Sequence, residues 1–214
     1  MKKIQALCIF LFLVIGVQAQ IDKEATDLLK KVSAKYKAYT SLKTDYTIKI
    51  HFADAKTDII KKGILHLKGA KFKMQIDDVI SICDGKNIWN YLPNEKQVQI
   101  SLYDKADGNI SPEKFYTFWE KDYIYRIKES KVVNGKNITV VELSPTTKKN
   151  GSIFKIDVTI NTSTTELMSF LIYEKNGTRT TYTMSTTQAN IPLADSFFTF
   201  DAKQFPGVEV VDLR

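Results

Sequence analysis

Residues 63–93, GILHLKGAKFKMQIDDVISICDGKNIWNYLP, read as a run of short strands separated by turns. Apolar Phe72, Met74 and Ile76 alternate with polar neighbours, which is the two-residue period of a strand with one apolar and one solvated face. Asp84-Gly85 predicts a hairpin turn, because glycine readily adopts the positive φ that such turns require. The segment therefore predicts antiparallel sheet.

The same pattern continues through most of the chain. On the strand predicted over Thr44–Phe52, the side chains of Tyr46, Ile48 and Ile50 share one face. Two further hairpin turns are predicted at Asn134-Gly135 and Asn176-Gly177. The pattern predicts a mainly β protein of about eleven strands in one domain.

A sheet with so many strands must curl or pack against a second layer. Only two helices are predicted, which is little material to cover a whole face of the sheet. We therefore expect a strongly curved sheet whose apolar face turns inward and lines a cavity. A well-packed sandwich without a cavity fits the same periodicity, and this alternative stays open.

The first predicted helix starts at Asp22, a residue suited to capping, and carries an apolar stripe that we expect to pack on the sheet. The stripe consists of Ala25, Leu28, Leu29, Val32, Tyr36 and Tyr39. Ser111-Pro112 has the signature of a second helix start, followed by the aromatic run FYTFWEKDYIY with Phe115, Phe118 and Trp119 along one side. This short helix could fill the core or act as a movable lid.

The N-terminus has the features of a secretory signal. Lys2 and Lys3 precede the apolar run Ile4–Val17, and cleavage after Ala19 would leave residues 20–214 as the mature domain. The run is too short for a comfortable membrane span. Loss of the two lysines would lower the formal net charge from +7 to +5. The remaining lysines are scattered, which indicates a solvated surface, and a weak attraction to anionic membranes or acidic partners is the alternative.

No constellation of residues predicts catalysis, a metal site or a cofactor. His51 and His66 have no second ligand at metal spacing, and neither a Gly-rich phosphate loop nor a nucleophile elbow occurs. Cys83, the one cysteine of the predicted mature chain, is read as a buried strand residue or as a nucleophile. Nucleic-acid binding is not expected, because no basic helix is present.

Several motifs together resemble a known family. They are Gly63-x-Leu65, the Lys68–Lys73 segment, Asp84-Gly85-Lys86-x-x-Trp89-x-Tyr91, and the tail Phe198-Thr199-Phe200 … Pro206-Gly207-Val208-Glu209-Val210-Val211-Asp212. In this order they are similar to the periplasmic outer-membrane lipoprotein carrier family, LolA. The resemblance covers nearly all of the predicted mature chain.

The resemblance implies an incomplete, half-open antiparallel barrel capped by helices. It implies a periplasmic, monomeric carrier that holds the acyl chains of lipoproteins in the apolar interior of that barrel. It also implies two partners, an inner-membrane release complex of the LolCDE type and an outer-membrane acceptor similar to LolB. Lys68 is the candidate lid latch, although it lacks the planar fork of the arginine that the family often has near this position. The predicted cavity and lid residues are Tyr46, Ile48, Ile50, Leu65, Leu67, Phe72, Met74, Ile76, Trp89, Tyr91, Phe115, Phe118 and Trp119.

Two other functions remain alternatives. A relative with the same cavity could bind another lipid or glycolipid, or could sense envelope stress. An enzyme is the least favoured function, since no catalytic arrangement supports one.

Overall fold

The computed structural model describes residues 22–103, 110–147 and 151–214. Within these ranges there is one α-helix, α1 at Lys23–Lys37. The twelve strands are β1 Leu42–His51, β2 Ile59–Lys68, β3 Lys71–Ile76, β4 Val79–Cys83, β5 Asn87–Leu92, β6 Gln97–Leu102, β7 Tyr123–Val133, β8 Lys136–Pro145, β9 Ile153–Asn161, β10 Glu166–Glu174, β11 Arg179–Ala189 and β12 Glu209–Asp212. The predicted signal peptide, residues 1–19, lies outside the described residues.

All twelve strands belong to one sheet, in the order β12-β6-β5-β4-β3-β2-β1-β11-β10-β9-β8-β7. Neighbouring strands are antiparallel, except that the C-terminal β12 lies parallel to β6. Strands β12 and β7 form the two edges, so the sheet is not closed into a barrel. The prediction of a mainly β, half-open barrel is confirmed, with twelve strands in place of about eleven.

Helix α1 begins as the sequence predicts. The Asp22 carboxylate accepts a hydrogen bond from the Ala25 backbone N–H at 3.0 Å and a second from the backbone N–H of Ile127 on edge strand β7 at 2.7 Å. One side chain therefore caps the helix and satisfies an edge-strand donor. Along the helix, Leu29 and Val32 are buried against the sheet, as the apolar stripe predicts.

The predicted second helix is wrong. Residues 115–125 contain a single 3₁₀ turn at Phe118–Glu120, preceded by another at Pro112–Lys114, and β7 already begins at Tyr123. Asp122 takes a positive φ of 67°, which ends any helical path. The bulky side chains of this segment have modest helix propensity, and Phe115, Tyr116 and Trp119 are all buried in the core.

The main core lies on one face of the sheet, which we call the inner face because it carries α1 and residues 110–120. A smaller apolar layer lies on the outer face of β4–β6. There Ile82, Trp89 and Ile100 are cross-strand neighbours, and the ring of Phe205 lies 4.5 Å from that of Tyr91. The C-terminal segment, residues 190–208, covers this layer.

Candidate functional site

The inner face of β1–β3 brings together eight of the predicted cavity residues. The register pairs Leu67 with Phe72 and Leu65 with Met74, and Gly63 pairs with both Tyr46 and Ile76. Because side chains on one face recur every second residue, these positions share one surface with Ile48 and Ile50. Tyr46, Ile48, Leu65 and Phe72 are buried, and Ile50, Leu67, Met74 and Ile76 are partly buried and packed against the same core.

The Tyr46 ring lies over Gly63, and this contact shapes the middle of the face. A Cβ atom at residue 63 would lie 2.3 Å from Tyr46 Cζ, which is closer than any real contact. Glycine is needed here because the ring occupies the space of a side chain. Burial raises the pKa of Tyr46 above its ordinary value, so the phenol stays neutral in the interior.

Residues 110–120, which we call the aromatic segment, fill the space between α1 and the sheet. The Phe115 ring lies 5.6 Å from Tyr46, 5.0 Å from Phe170 and 5.7 Å from Tyr182. Phe118 packs on Phe170 as well, at 5.4 Å. Of the predicted lid residues, Phe115 thus meets the predicted strand face at Tyr46, and Phe118 packs on β10. They do so from a segment of short 3₁₀ turns and not from a helix.

A few polar contacts hold the aromatic segment in place. Trp119 donates its indole Nε1–H to Ser33 Oγ of α1 at 3.0 Å, and the Tyr116 hydroxyl hydrogen bonds to Thr44 of β1. Tyr116 also stacks on Tyr36 of α1, with ring centroids 4.0 Å apart. The segment is therefore clamped between the helix and the sheet.

An ion pair completes this attachment at the surface. Lys37 Nζ lies 2.5 Å from a carboxylate oxygen of Glu120. Burial raises the pKa of Tyr116 to about 12, still further above physiological pH than the pKa of an exposed tyrosine.

Beside the segment lies a cleft of about 280 Å³. Tyr36 and Tyr39 of the helix end, Leu67 and Gly69 of the β2–β3 hairpin, and Tyr116 of the aromatic segment contribute to its lining. The cleft gives the inner face a path to solvent where α1 ends. Tyr116 lines the cleft and its neighbour Phe115 packs on Tyr46, so the aromatic segment stands between the cleft and this part of the apolar face.

Trp89 and Tyr91 do not belong to this site. Trp89 pairs with Ile82 and Ile100, while the alternate residues Ile88 and Asn90 point to the inner face. Both aromatic residues therefore lie on the outer face, under the C-terminal segment. Alternation along the strand identifies which residues share a face, but it does not tell which face is the inner one, and both faces of β4–β5 carry apolar residues.

Lys68 does not hold the aromatic segment. Its ammonium group donates to the Leu193 backbone oxygen at 2.7 Å and to Asp195 at 2.9 Å, and Lys71 also reaches Asp195, at 3.0 Å. Lys68, followed by Lys71, lowers the pKa of the Asp195 carboxyl. The candidate latch therefore pins the C-terminal segment to the outer face, and the contacts of Tyr116, Trp119 and Glu120 hold the aromatic segment.

Sequence reasoning missed three inner-face residues, Tyr116, Phe170 and Tyr182. The ring of Tyr182 stacks on that of Phe170, with centroids 4.7 Å apart. Tyr182 lies on β11, which pairs with β1, and Phe170 lies on β10, which pairs with β11. The alternation of apolar residues in β10 and β11 was the available signal. That alternation does not reveal that β11 pairs with β1, which is far away in the sequence.

The residues that the structure describes contain no group of three or more His, Cys, Asp and Glu side chains able to hold a metal ion. Among the same residues, no helix is long and apolar enough to cross a membrane. The inner face of β1–β3 is instead built mainly of uncharged apolar and aromatic side chains, which suit the binding of an apolar group.

Residues 37–201 match the family described as outer membrane lipoprotein carrier protein LolA. A curated relative, an uncharacterized protein of Methanocaldococcus jannaschii, is 26% identical over 143 residues, which are 64% of this chain and 42% of the relative. The chain thus spans less than half the length of that relative.

Two solved structures share the fold at low identity. An uncharacterized conserved protein from Thermus thermophilus is 10% identical with a TM-score of 0.57, over 87% of this chain and 98% of that one. A DUF1329 family protein from Desulfovibrio piger is 12% identical with a TM-score of 0.52, over 86% of this chain and 99% of that one.

Proposed function

Because this chain belongs to the outer membrane lipoprotein carrier protein LolA family, we propose that it carries lipoproteins through the periplasm with their acyl chains on the inner face of the sheet. The position of the aromatic segment is the single observation that supports this proposal most. The segment covers an apolar sheet face with side chains that an acyl chain could replace. The chain would act as a binder and not as an enzyme.

The inner face and its cover fit a ligand that must be held and then released. Pulling one chain of about sixteen carbons into water costs on the order of 12 kcal/mol, at about 0.8 kcal/mol per methylene. A carrier must therefore offer apolar surface. If Phe115 and Phe118 leave the inner face when the ligand enters, their lost packing offsets part of the burial energy and keeps release feasible.

The proposed route places the chain between two membranes. The N-terminal secretory pattern supports export, and the family supports loading by an inner-membrane release complex of the LolCDE type and delivery to an acceptor similar to LolB. A monomer with no cofactor suffices, because the site needs only apolar surface and a displaceable cover.

A release assay tests the proposal. The full chain is secreted by a host cell, purified from its periplasm, and incubated with spheroplasts that synthesise labelled triacylated lipoproteins. We expect labelled lipoprotein in the soluble fraction, bound to the carrier.

Met74→Glu should abolish this release, because it places a carboxylate among acyl chains on the inner face. Gln75→Glu, one residue along on the exposed outer face, is the matched control and should release lipoprotein normally. Equal release by both variants, or no soluble complex with the unmodified chain, would contradict the proposal.

A further inference from the structure

The inner face changes character between β3 and β6. One cross-strand row runs Leu65, Met74, Ser81, Asn90 and Gln99, from β2 to β6. It begins with two apolar side chains and ends with three uncharged polar ones. The outer faces of β4–β6 carry the buried Ile82, Val98 and Ile100, so where this row crosses these strands its inner side is polar and the outer side is apolar.

The polar end of this row, which we call the amide row, is Ser81, Asn90 and Gln99, together with the neighbouring Gln97. Ser81 donates its hydroxyl to Asn90 Oδ1 at 2.7 Å, and Gln99 Nε2 donates to Gln97 Oε1 at 2.9 Å. Within the described residues, Asn90 Nδ2 and Gln99 Oε1 have no partner. Each half-buried amide thus keeps one donor or one acceptor for another molecule.

The chemistry of the amide row excludes some ligands and favours others. It presents donors and acceptors side by side, and none of its side chains carries a charge. A phosphate head would find no cation in the row to neutralise it, whereas a peptide group offers the complementary N–H and C=O. Leaving these amides desolvated against hydrocarbon would be unfavourable, so the acyl chains themselves fit the Leu65–Met74 end.

We propose that the amide row binds the uncharged peptide backbone that follows the acyl groups of a lipoprotein. This inference rests on the proposed function and adds to it the basis for preferring lipoproteins over phospholipids. The row lies next to the β6–β12 edge, where the sheet is open, so a polypeptide held there could leave the carrier directly. The acyl chains and the peptide would then follow one line across the sheet.

The test compares ligands that share the same chains. An N-acetylated S-dipalmitoylglyceryl-Cys-Ser-Ser amide, dipalmitoyl phosphatidylglycerol and dipalmitoyl glucosylglycerol each displace a fluorescent fatty acid from the full chain. We expect the lipopeptide to bind about tenfold more tightly than either lipid. The double variant Asn90→Leu/Gln99→Leu should lose this preference while its phosphatidylglycerol affinity stays the same, because one or two hydrogen bonds account for such a factor.

Gln188→Leu, an exposed glutamine on β11, is the control and should keep the preference. Asn90→Ala, a smaller change, should weaken lipopeptide binding about threefold even if the double variant is unstable. If these row variants keep the preference, or if either lipid binds more tightly than the lipopeptide, this inference is wrong but the proposed function still stands. If the unmodified chain binds none of the three ligands, the proposed function fails as well.

Discussion

Truncation of Phe115 should lower the stability of this protein and at the same time raise its affinity for acyl chains. Phe115 is buried and contacts four aromatic rings, those of Tyr46, Tyr116, Phe170 and Tyr182, at centroid distances of 5.0–5.7 Å. Phe115→Ala removes these contacts and leaves a cavity. Such a substitution lowers the free energy of unfolding by about 3–5 kcal/mol.

The same cavity should improve binding. In the unmodified chain a ligand must displace Phe115, and each aromatic pair contributes about 0.5–1.5 kcal/mol. The variant has already lost those pairs, so at least about 1.4 kcal/mol of displacement cost disappears and acyl affinity should rise about tenfold or more. A saturating ligand should then restore much of the lost stability, because it binds only the folded state.

Urea unfolding measures the first effect, and titration with a fluorescent fatty acid measures the second. The control is Phe198→Ala, which truncates a fully buried phenylalanine of the C-terminal segment on the outer face. It should lower stability by a similar amount and leave the acyl affinity unchanged. Weaker acyl binding by Phe115→Ala would show that Phe115 contacts the bound acyl chain and is not displaced by it. This result would refute the reasoning.

Three further substitutions test other parts of the structure. Gly63→Ala should lower the free energy of unfolding by about 1–3 kcal/mol, since its methyl group collides with the Tyr46 ring; a loss below about 0.5 kcal/mol would contradict the close contact. The pKa of Asp22 is lowered by hydrogen bonds from the first helical turn and then from β7, so its stabilisation should be complete above about pH 4 and decline as the pH falls through the lowered pKa. Asp22→Asn should flatten that part of the stability profile measured by urea unfolding at several pH values, and an unchanged acid slope would argue against the cap. Lys68→Ala should speed amide hydrogen exchange around Asp195 and leave acyl affinity unchanged, whereas a change in acyl affinity would restore Lys68 as a latch of the aromatic segment.

The sequence predicted the strands and hairpins well because their signals are local. Alternation in β3 placed Phe72, Met74 and Ile76 on one face, and Gly85 and Gly135 take the positive φ that their turns require. The cap at Asp22 followed from residue type in the same way. Each of these features depends on residues within a few positions of one another.

The errors arose where distant parts of the chain decide the outcome. Trp89 and Phe72 are both large aromatic residues, and only the docking of α1 and the aromatic segment on the face of Phe72 makes the face of Trp89 the outer one. The spacing of Phe115 and Phe118 suggested a helix, yet packing against Phe170 and α1 selects a pair of 3₁₀ turns. The partner of Lys68 is Asp195, 127 positions further along the chain, which no local pattern reveals.

Photocrosslinking at two adjacent positions tests the central claim most directly. A benzophenone amino acid is placed at residue 76, partly buried on the inner face, or at residue 75, exposed on the outer face of the same strand. Each variant is expressed in cells that make labelled lipoproteins and is irradiated in the periplasm. The account predicts a crosslink to the acylated cargo from residue 76 and none from residue 75, whereas equal crosslinks from both positions, or none from residue 76, would contradict it.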